Sequence, residues 1–335
     1  MTDLWNRLKY AVKPIVLYGM GDGADKILNV FDRYGITVSA IFASDEFVRG
    51  HSFHGFKVMK FAEVCDLFGD FIIIVSFATA LPDVIERIQQ LAEMYELYAP
   101  DVPVVGDELF NAEFYRTNLD KINHARELLC DDESKAMYDD MIAYKLSGEI
   151  KHLTSSVTHN VLNRTLYTSY ADLGAYNGDT VRELMNIAPK LTDIYAFEPD
   201  PRNFKKLSAI PNISAYNIAA WSGKTTLTFD SRGGRNSRIG RGGHETAADS
   251  LDNILQGKRV DHIKYDVEGA EYEALTGSAI TIKKYSPELT VSLYHRSGDI
   301  FDIVSYVHEL NPAYKLYIRR YPYIPAWDLN LYAVT

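Results

Sequence analysis

The sequence predicts an α/β protein built from two parallel-sheet units joined by helices. Strand-like apolar runs alternate with helix-period runs over 14–106, and again from Tyr170 onward, the pattern of parallel strands linked by helices. Between them, 107–152 has helical spacing of Leu, Ile, Met and Tyr and almost no β-branched cluster. At 335 residues the chain also exceeds what one ordinary core holds. The expected units are therefore a smaller α/β unit over 1–106, a helical connector over 107–157, and a larger α/β unit over 158–335.

Hydrophobic residues make up 47% and charged residues 24%, an ordinary globular balance. The net charge of −10 makes the chain a poor general binder of nucleic acid or anionic membrane. Cys65 and Cys130 have no metal-like spacing and fit reduced thiols in a cytoplasmic protein. The start, "MTDLWNRLKY", has no apolar signal core, so a cytoplasmic location is expected. The longest apolar run, "FIIIVSFATAL" at 71–81, is too short to span a bilayer and reads as a buried strand.

In the first unit, "IVLYG", "TVSAIFA" and "FIIIVSF" are strands, and 22–34 and 82–94 are helices. Gly19, Gly21 and Ala24 of "LYGMGDGADK" match G-x-G-x-x-[GA] between a strand and a helix, a dinucleotide pattern. An acid should then end the second strand, but "IFASDE" puts Ser44 there, with Asp45 and Glu46 just after. His51 and His54 fall in a loop. In the connector, "CDDES" marks a helix restart, with Asp132 or Ser134 as caps.

In the larger unit, "YADLG", "DIYAFE", "SAYNIAA", "TLTFD", "DHIKYDV" and "ELTVSLYH" are strands, with helices over 180–188 and 201–207 among those between them. The chain closes with "YKLYIRRYPYIPAWDLNLYAVT", two strand-like runs around a Pro-rich turn, hence an antiparallel hairpin. The Gly-rich segment 230–245 carries Arg232, Arg235, Arg238 and Arg241 and reads as a loop.

The chemistry concentrates at the carboxyl ends of these strands, where open parallel sheets bind ligands. In "DLGAYNGDT", Gly174 lets backbone approach a ligand and Gly178 precedes a helix N-terminus. The preceding Asp172 would repel a pyrophosphate and suits a cationic ligand such as S-adenosylmethionine. Glu198, in "FEPDP", stands where such folds place an acid on ribose hydroxyls. Lys264 and Asp266 share one face of a strand that should be central, where charge is costly unless paired or functional. Glu271 reads as a helix-starting acid. His295, beside Tyr294 and Arg296, ends the next strand and could take a proton.

"DLGAYNGDT", "FEPDP", "NIAAWSGKTTL", "SLDNIL", "IKYDVEGAEYEAL" and "PELTVSLYHRSGDI", in that order, resemble the FkbM-type methyltransferases over roughly 165–335. The resemblance implies a Rossmann-like class I fold with seven strands and an antiparallel terminal hairpin. It implies S-adenosylmethionine as cofactor, held by Asp172, Gly174, Ala175, Gly178 and Glu198, with Asp266 close to the methyl group. Asn217 is assigned to the cofactor as well. It also implies O-methylation of a sugar or glycan hydroxyl, or of a natural-product precursor. Where many members have Asn soon after the Gly-Ala, this chain has Tyr176 and then Asn177.

Asp266, His295 and Lys264 are the candidate catalytic groups, and Arg235, Arg238, Tyr294 and His295 the candidate acceptor contacts. The arginines suit an acidic or nucleotide-activated sugar. No metal is expected, although Asp266, Glu268 and Asp299 could supply oxygen ligands. The partners expected are a small-molecule or glycan acceptor and a second copy of the chain. Two other functions remain open: an NAD-dependent oxidoreductase or epimerase using the first glycine turn, and a non-catalytic nucleotide-binding sensor.

Overall fold

The computed structural model describes residues 2–48, 50, 52–154, 161–230, 238–239 and 244–335. His51, Arg232, Arg235 and Arg241 lie outside them, as does the side chain of Arg238.

The first sheet contains β1 (Ile15–Tyr18), β2 (Ala40–Phe42), β3 (Ser52–Phe53), β4 (Phe56–Met59), β5 (Ile72–Val75) and β6 (Glu96–Tyr98), in the order β3-β4-β2-β1-β5-β6. Only β3 runs antiparallel to its neighbour. Its helices are α1 (Leu4–Lys9), α2 (Asp22–Tyr34), α3 (Phe61–Phe68) and α4 (Pro82–Met94). Strands β1 and β5 are buried throughout, as continuous apolar runs require. Helix α2 stops at Gly35, whose φ of 68° turns its amide back onto the Asp32 and Phe31 carbonyls.

Helices α5 (Ala112–Thr117), α6 (Leu119–Glu127) and α7 (Asp132–Ser147) form the connecting segment. The cap of α7 is Asp131, whose side chain accepts from the Ser134 amide, one residue before the expected cap. Asp131 also pairs with Arg319 at 2.8 Å, so a tertiary ion pair holds the acid in the capping place.

The second sheet orders as β16-β17-β15-β14-β7-β8-β9. It contains β7 (Ser169–Leu173), β8 (Asp193–Phe197), β9 (Ser214–Tyr216), β14 (His262–Tyr265), β15 (Glu288–Ser292), β16 (Lys315–Arg320) and β17 (Leu329–Val334). Strands β7, β8, β9, β14 and β15 are parallel, and β17 is antiparallel to β15 and β16. This is the seven-stranded topology with a terminal hairpin expected from the sequence. Helices α8 (Asp179–Ile187), α9 (Pro201–Leu207), α11 (Glu271–Thr276), α12 (Ala279–Tyr285) and α13 (Asp299–Leu310) link the strands. A side sheet of β10 (Ala219–Ala220), β11 (Thr225–Asp230), β12 (Arg238–Ile239) and β13 (His244–Asp249), followed by α10 (Leu251–Leu255), separates β9 from β14.

One hydrophobic cluster runs from Val16 and Ile73 in the first sheet, through Tyr138 and Met141 of α7, to Ile263 and Leu331 in the second. The halves also touch through backbone. Thr79 and Ile324 bond reciprocally, and the Val105 amide donates to the His295 carbonyl at 3.0 Å. Among the described residues, no helix is long and apolar enough to cross a membrane.

Candidate active site

Pairing in the second sheet sets the carboxyl ends of β7, β8, β14 and β15 side by side: Leu173 opposes Phe197 and Tyr265, and Tyr265 opposes Val291. The residues just beyond those ends meet around a cavity of about 550 Å³. Its walls include Gly174, Tyr176, Glu198, Lys264, Asp266, Glu268, Tyr294 and His295.

The glycine turn is built for close approach. The Gly174 and Ala175 amides both donate to the Phe197 carbonyl, at 3.1 and 2.8 Å, which clamps the turn to β8. Gly174 has φ +91°, and a Cβ there would stand 1.9 Å from the Asp266 carbonyl oxygen. Gly178 has φ +83°, with Leu207 and Ile210 where its Cβ would be. Tyr176 adopts a left-handed φ of 49° between them. The extra residue is thus absorbed by a third left-handed position, and its side chain joins the cavity wall.

Asp172 is fully buried beneath the turn. One oxygen accepts from the Thr180 hydroxyl; the other makes no hydrogen bond and lies 3.5 Å from Lys264 Nζ. The negative charge set aside for a cationic ligand is therefore shared with a lysine. Lys264 also reaches Asp266 Oδ2 at 3.4 Å. Burial opposes its charge, but the two carboxylates hold its proton more tightly than usual.

Glu198 is buried and accepts from the Asp200 amide at 2.8 Å. Burial lifts its carboxyl to about 7. Asn217 does not line the cavity. Its amide donates to the carbonyls of Glu198 and Pro199, at 2.8 and 3.1 Å, and so braces the loop that carries Glu198.

At the other end, Asp266 Oδ1 accepts from Ser292 and from the Tyr294 hydroxyl, each at 3.0 Å. Burial works against its charge, yet Lys264, His295, Tyr294 and Ser292 hold it at about 2. His295 is 1% exposed. Burial disfavours its charge, but Glu271, Glu268 and Asp266 hold it up at about 10. Burial raises Glu268 to about 7, and Asp299, also buried and near Glu271, to about 7. Glu271 begins α11 as expected, and its Oε1 accepts from the Val267 and Gly269 amides.

The sequence reading missed part of this wall. Tyr321, Tyr323 and Trp327, from the loop between β16 and β17, line the cavity, as does Val104 from the segment after β6. Trp327 stacks near Tyr294 at 6.4 Å and 25°, with Tyr323 5.9 Å on its other flank. The only sequence signal is "YPYIPAW", aromatics within the Pro-rich turn of the hairpin. The residues present fit S-adenosylmethionine: a glycine cradle with no room for a side chain, an acid at the second strand end, and a buried carboxylate oxygen with no hydrogen bond beneath the turn.

Residues 172–320 match the family model of the methyltransferase FkbM domain. The chain is similar in structure to the methyltransferase FkbM from Methylobacillus flagellatus KT, with TM-score 0.74 and 19% identity over 96% of this chain and 90% of that one. It is more distantly similar to Aeropyrum pernix fibrillarin, with TM-score 0.35 and 12% identity over 52% of this chain and 69% of that one. A precorrin-6y C5,15-methyltransferase from Geobacter metallireducens GS-15 gives TM-score 0.32 and 10% identity over 50% and 79%. No curated protein matches the sequence.

Proposed function

Because the chain carries an FkbM methyltransferase domain on a class I fold, we propose that it methylates a hydroxyl of a carbohydrate-containing acceptor, using S-adenosylmethionine. The observation that carries this is one cavity with two unlike parts: Gly174 and Glu198 above the buried Asp172, and an aromatic wall of Tyr294, Tyr323 and Trp327 beside Asp266. Sugar rings present C–H faces to aromatic rings and hydroxyls to carboxylates, and this wall offers both.

When bound, S-adenosylmethionine supplies a methyl group activated by its sulfonium. The protein's part is positioning, exclusion of water and acceptance of one proton. Gly174 would let backbone approach the cofactor's amino-acid end, and Glu198 would hold its ribose hydroxyls. Asp266, held ionised by Lys264, Tyr294 and Ser292, walls the space where acceptor and methyl meet. The hydroxyl proton is taken in the corner of Asp266, Glu268 and His295. Residues 1–106 would act as an accessory unit that supports the acceptor wall through Val104 and Thr79, 107–157 as connector, and 158–335 as the catalytic unit.

Calorimetry with S-adenosylmethionine on the full chain, followed by label transfer from the methyl-labelled cofactor to a panel of saccharides, tests this. Binding together with label on a saccharide oxygen supports it. Absence of binding, or label going to amines and thiols only, overturns it.

A further inference from the structure

We propose that Asp266, Glu268 and His295 bind a divalent metal ion, with Glu271 fixing the histidine ring from behind. Two of these donors, Asp266 and His295, already converge together with Glu271. One atom each from Asp266, Glu271 and His295 lies within 4.8 Å of the others. His295 Nε2 is 3.6 Å from Asp266 Oδ1 and 3.6 Å from Glu268 Oε2. Ligands about 2.1 Å from a shared ion stand roughly 3 to 3.6 Å apart, the spacing each of the two carboxylates keeps from His295 Nε2.

A second observation is the state of the histidine. His295 is 1% exposed, yet its buried Nδ1 makes no hydrogen bond among the described residues. Nδ1 is 2.9 Å from Glu271 Oε1, close enough for a charge pair but off the line of a hydrogen bond. Glu271 Oε2 is likewise buried with no hydrogen bond. A buried imidazole is rarely left this way. A ligating histidine commonly carries a carboxylate on its other nitrogen, where Glu271 stands.

Charge points the same way. Three carboxylates crowd one imidazole, and the nearby Lys264 is engaged with Asp172 and with the other oxygen of Asp266. Arg296 Nε donates to the Gly269 carbonyl. Glu268 itself has φ +54°, a strained value for a residue with a side chain, of the kind that clusters at functional sites. Asp299, one of the oxygen ligands considered from the sequence, instead accepts from the Arg296 amide. One imidazole with two carboxylates suits Mn²⁺ or Zn²⁺. On the methyl-transfer reading above, on which this role rests, the ion would hold the acceptor hydroxyl and weaken its grip on its proton.

The test is titration of the chelator-stripped full chain with Mn²⁺ at constant pH, following free Mn²⁺ by electron paramagnetic resonance, without cofactor. About one tight ion per chain is expected, competed by Zn²⁺. Glu268→Gln and His295→Ala should each weaken binding by about tenfold or more, and Glu271→Gln by about tenfold. Asp70→Asn, an exposed acid of the first unit paired with Lys13, should leave it unchanged. If His295→Ala does not fold, Glu268→Gln decides, because that carboxylate makes no hydrogen bond among the described residues. No saturable Mn²⁺ binding, or binding indifferent to Glu268→Gln, overturns the proposal. Calorimetry with S-adenosylmethionine in chelator runs alongside: loss of that binding with Mn²⁺ binding intact would sink the methyl-transfer reading and leave the metal site standing.

Discussion

The two glycine turns, after β1 and after β7, look alike in the sequence and are filled differently in space. In the first, a Cβ on Gly19 would meet Phe77 at 2.5 Å, and one on Gly23 would meet the Ser76 carbonyl oxygen at 2.4 Å. Tyr18 stacks on Phe42 at 4.5 Å, and its hydroxyl lies 3.0 Å from Ser44, which also accepts from Arg87. Aromatic rings and a serine thus sit at the strand ends where a dinucleotide and its acid would lie. In the second turn Gly174 meets backbone of the adjacent strand end and Gly178 meets Leu207 and Ile210, and Gly174 also lines the cavity. A glycine pattern reports that something approaches closely; the neighbouring strands decide whether that is a ligand or a side chain.

The contrast can be broken by substitution. Gly174→Ala has the largest expected effect. Its Cβ would collide with Asp266 backbone at a left-handed φ, costing about 3 kcal/mol or more of stability and abolishing cofactor binding; thermal unfolding and calorimetry read both. Asp172→Asn should weaken S-adenosylmethionine by roughly tenfold or more, because it leaves Lys264 short of a buried partner. Unchanged affinity would remove Asp172 from the site.

A graded effect follows from Glu198. Its folded value of about 7 stands above its ordinary 4.5, so folding favours the protonated form. Its contribution to stability is complete below about 4.5 and is lost as pH rises to about 7. Cofactor binding draws on the ionised form, so affinity should rise over the same span by up to about a hundredfold, and Glu198→Gln should flatten both curves. The smallest effect on the cofactor is expected from Gly23→Ala. It should cost about 1–3 kcal/mol through overpacking against Ser76, while S-adenosylmethionine affinity stays as it was. A fall in that affinity would mean the two turns are functionally joined.

Much of the fold was legible because its signals are local. The helix over 22–34 lies between Gly21 and Gly35, and those over 82–94 and 201–207 begin at prolines. The cap at Asp131 was misplaced by one residue, since four acidic or hydroxyl side chains in succession offer equal local choices and Arg319, 188 residues away, selects among them. At the site, Asp172, Glu198, Lys264 and Asp266 were legible as charges at the ends of buried strands. Tyr323, Trp327 and Val104 were not, because a loop and a segment far apart in sequence bring them to the wall. Asn217, expected at the cofactor, braces the loop that carries Glu198.

The sequence by itself determined the alternation of strands and helices, the terminal hairpin, and which strand ends carry charge, because apolar periodicity and turn residues act over a few positions. The tertiary structure decided that the second glycine turn borders the cavity, that Lys264 shares Asp172 with any ligand, and that three carboxylates converge on His295. Those outcomes depend on strand order and on burial, and both are set by contacts between residues that no short stretch of chain contains.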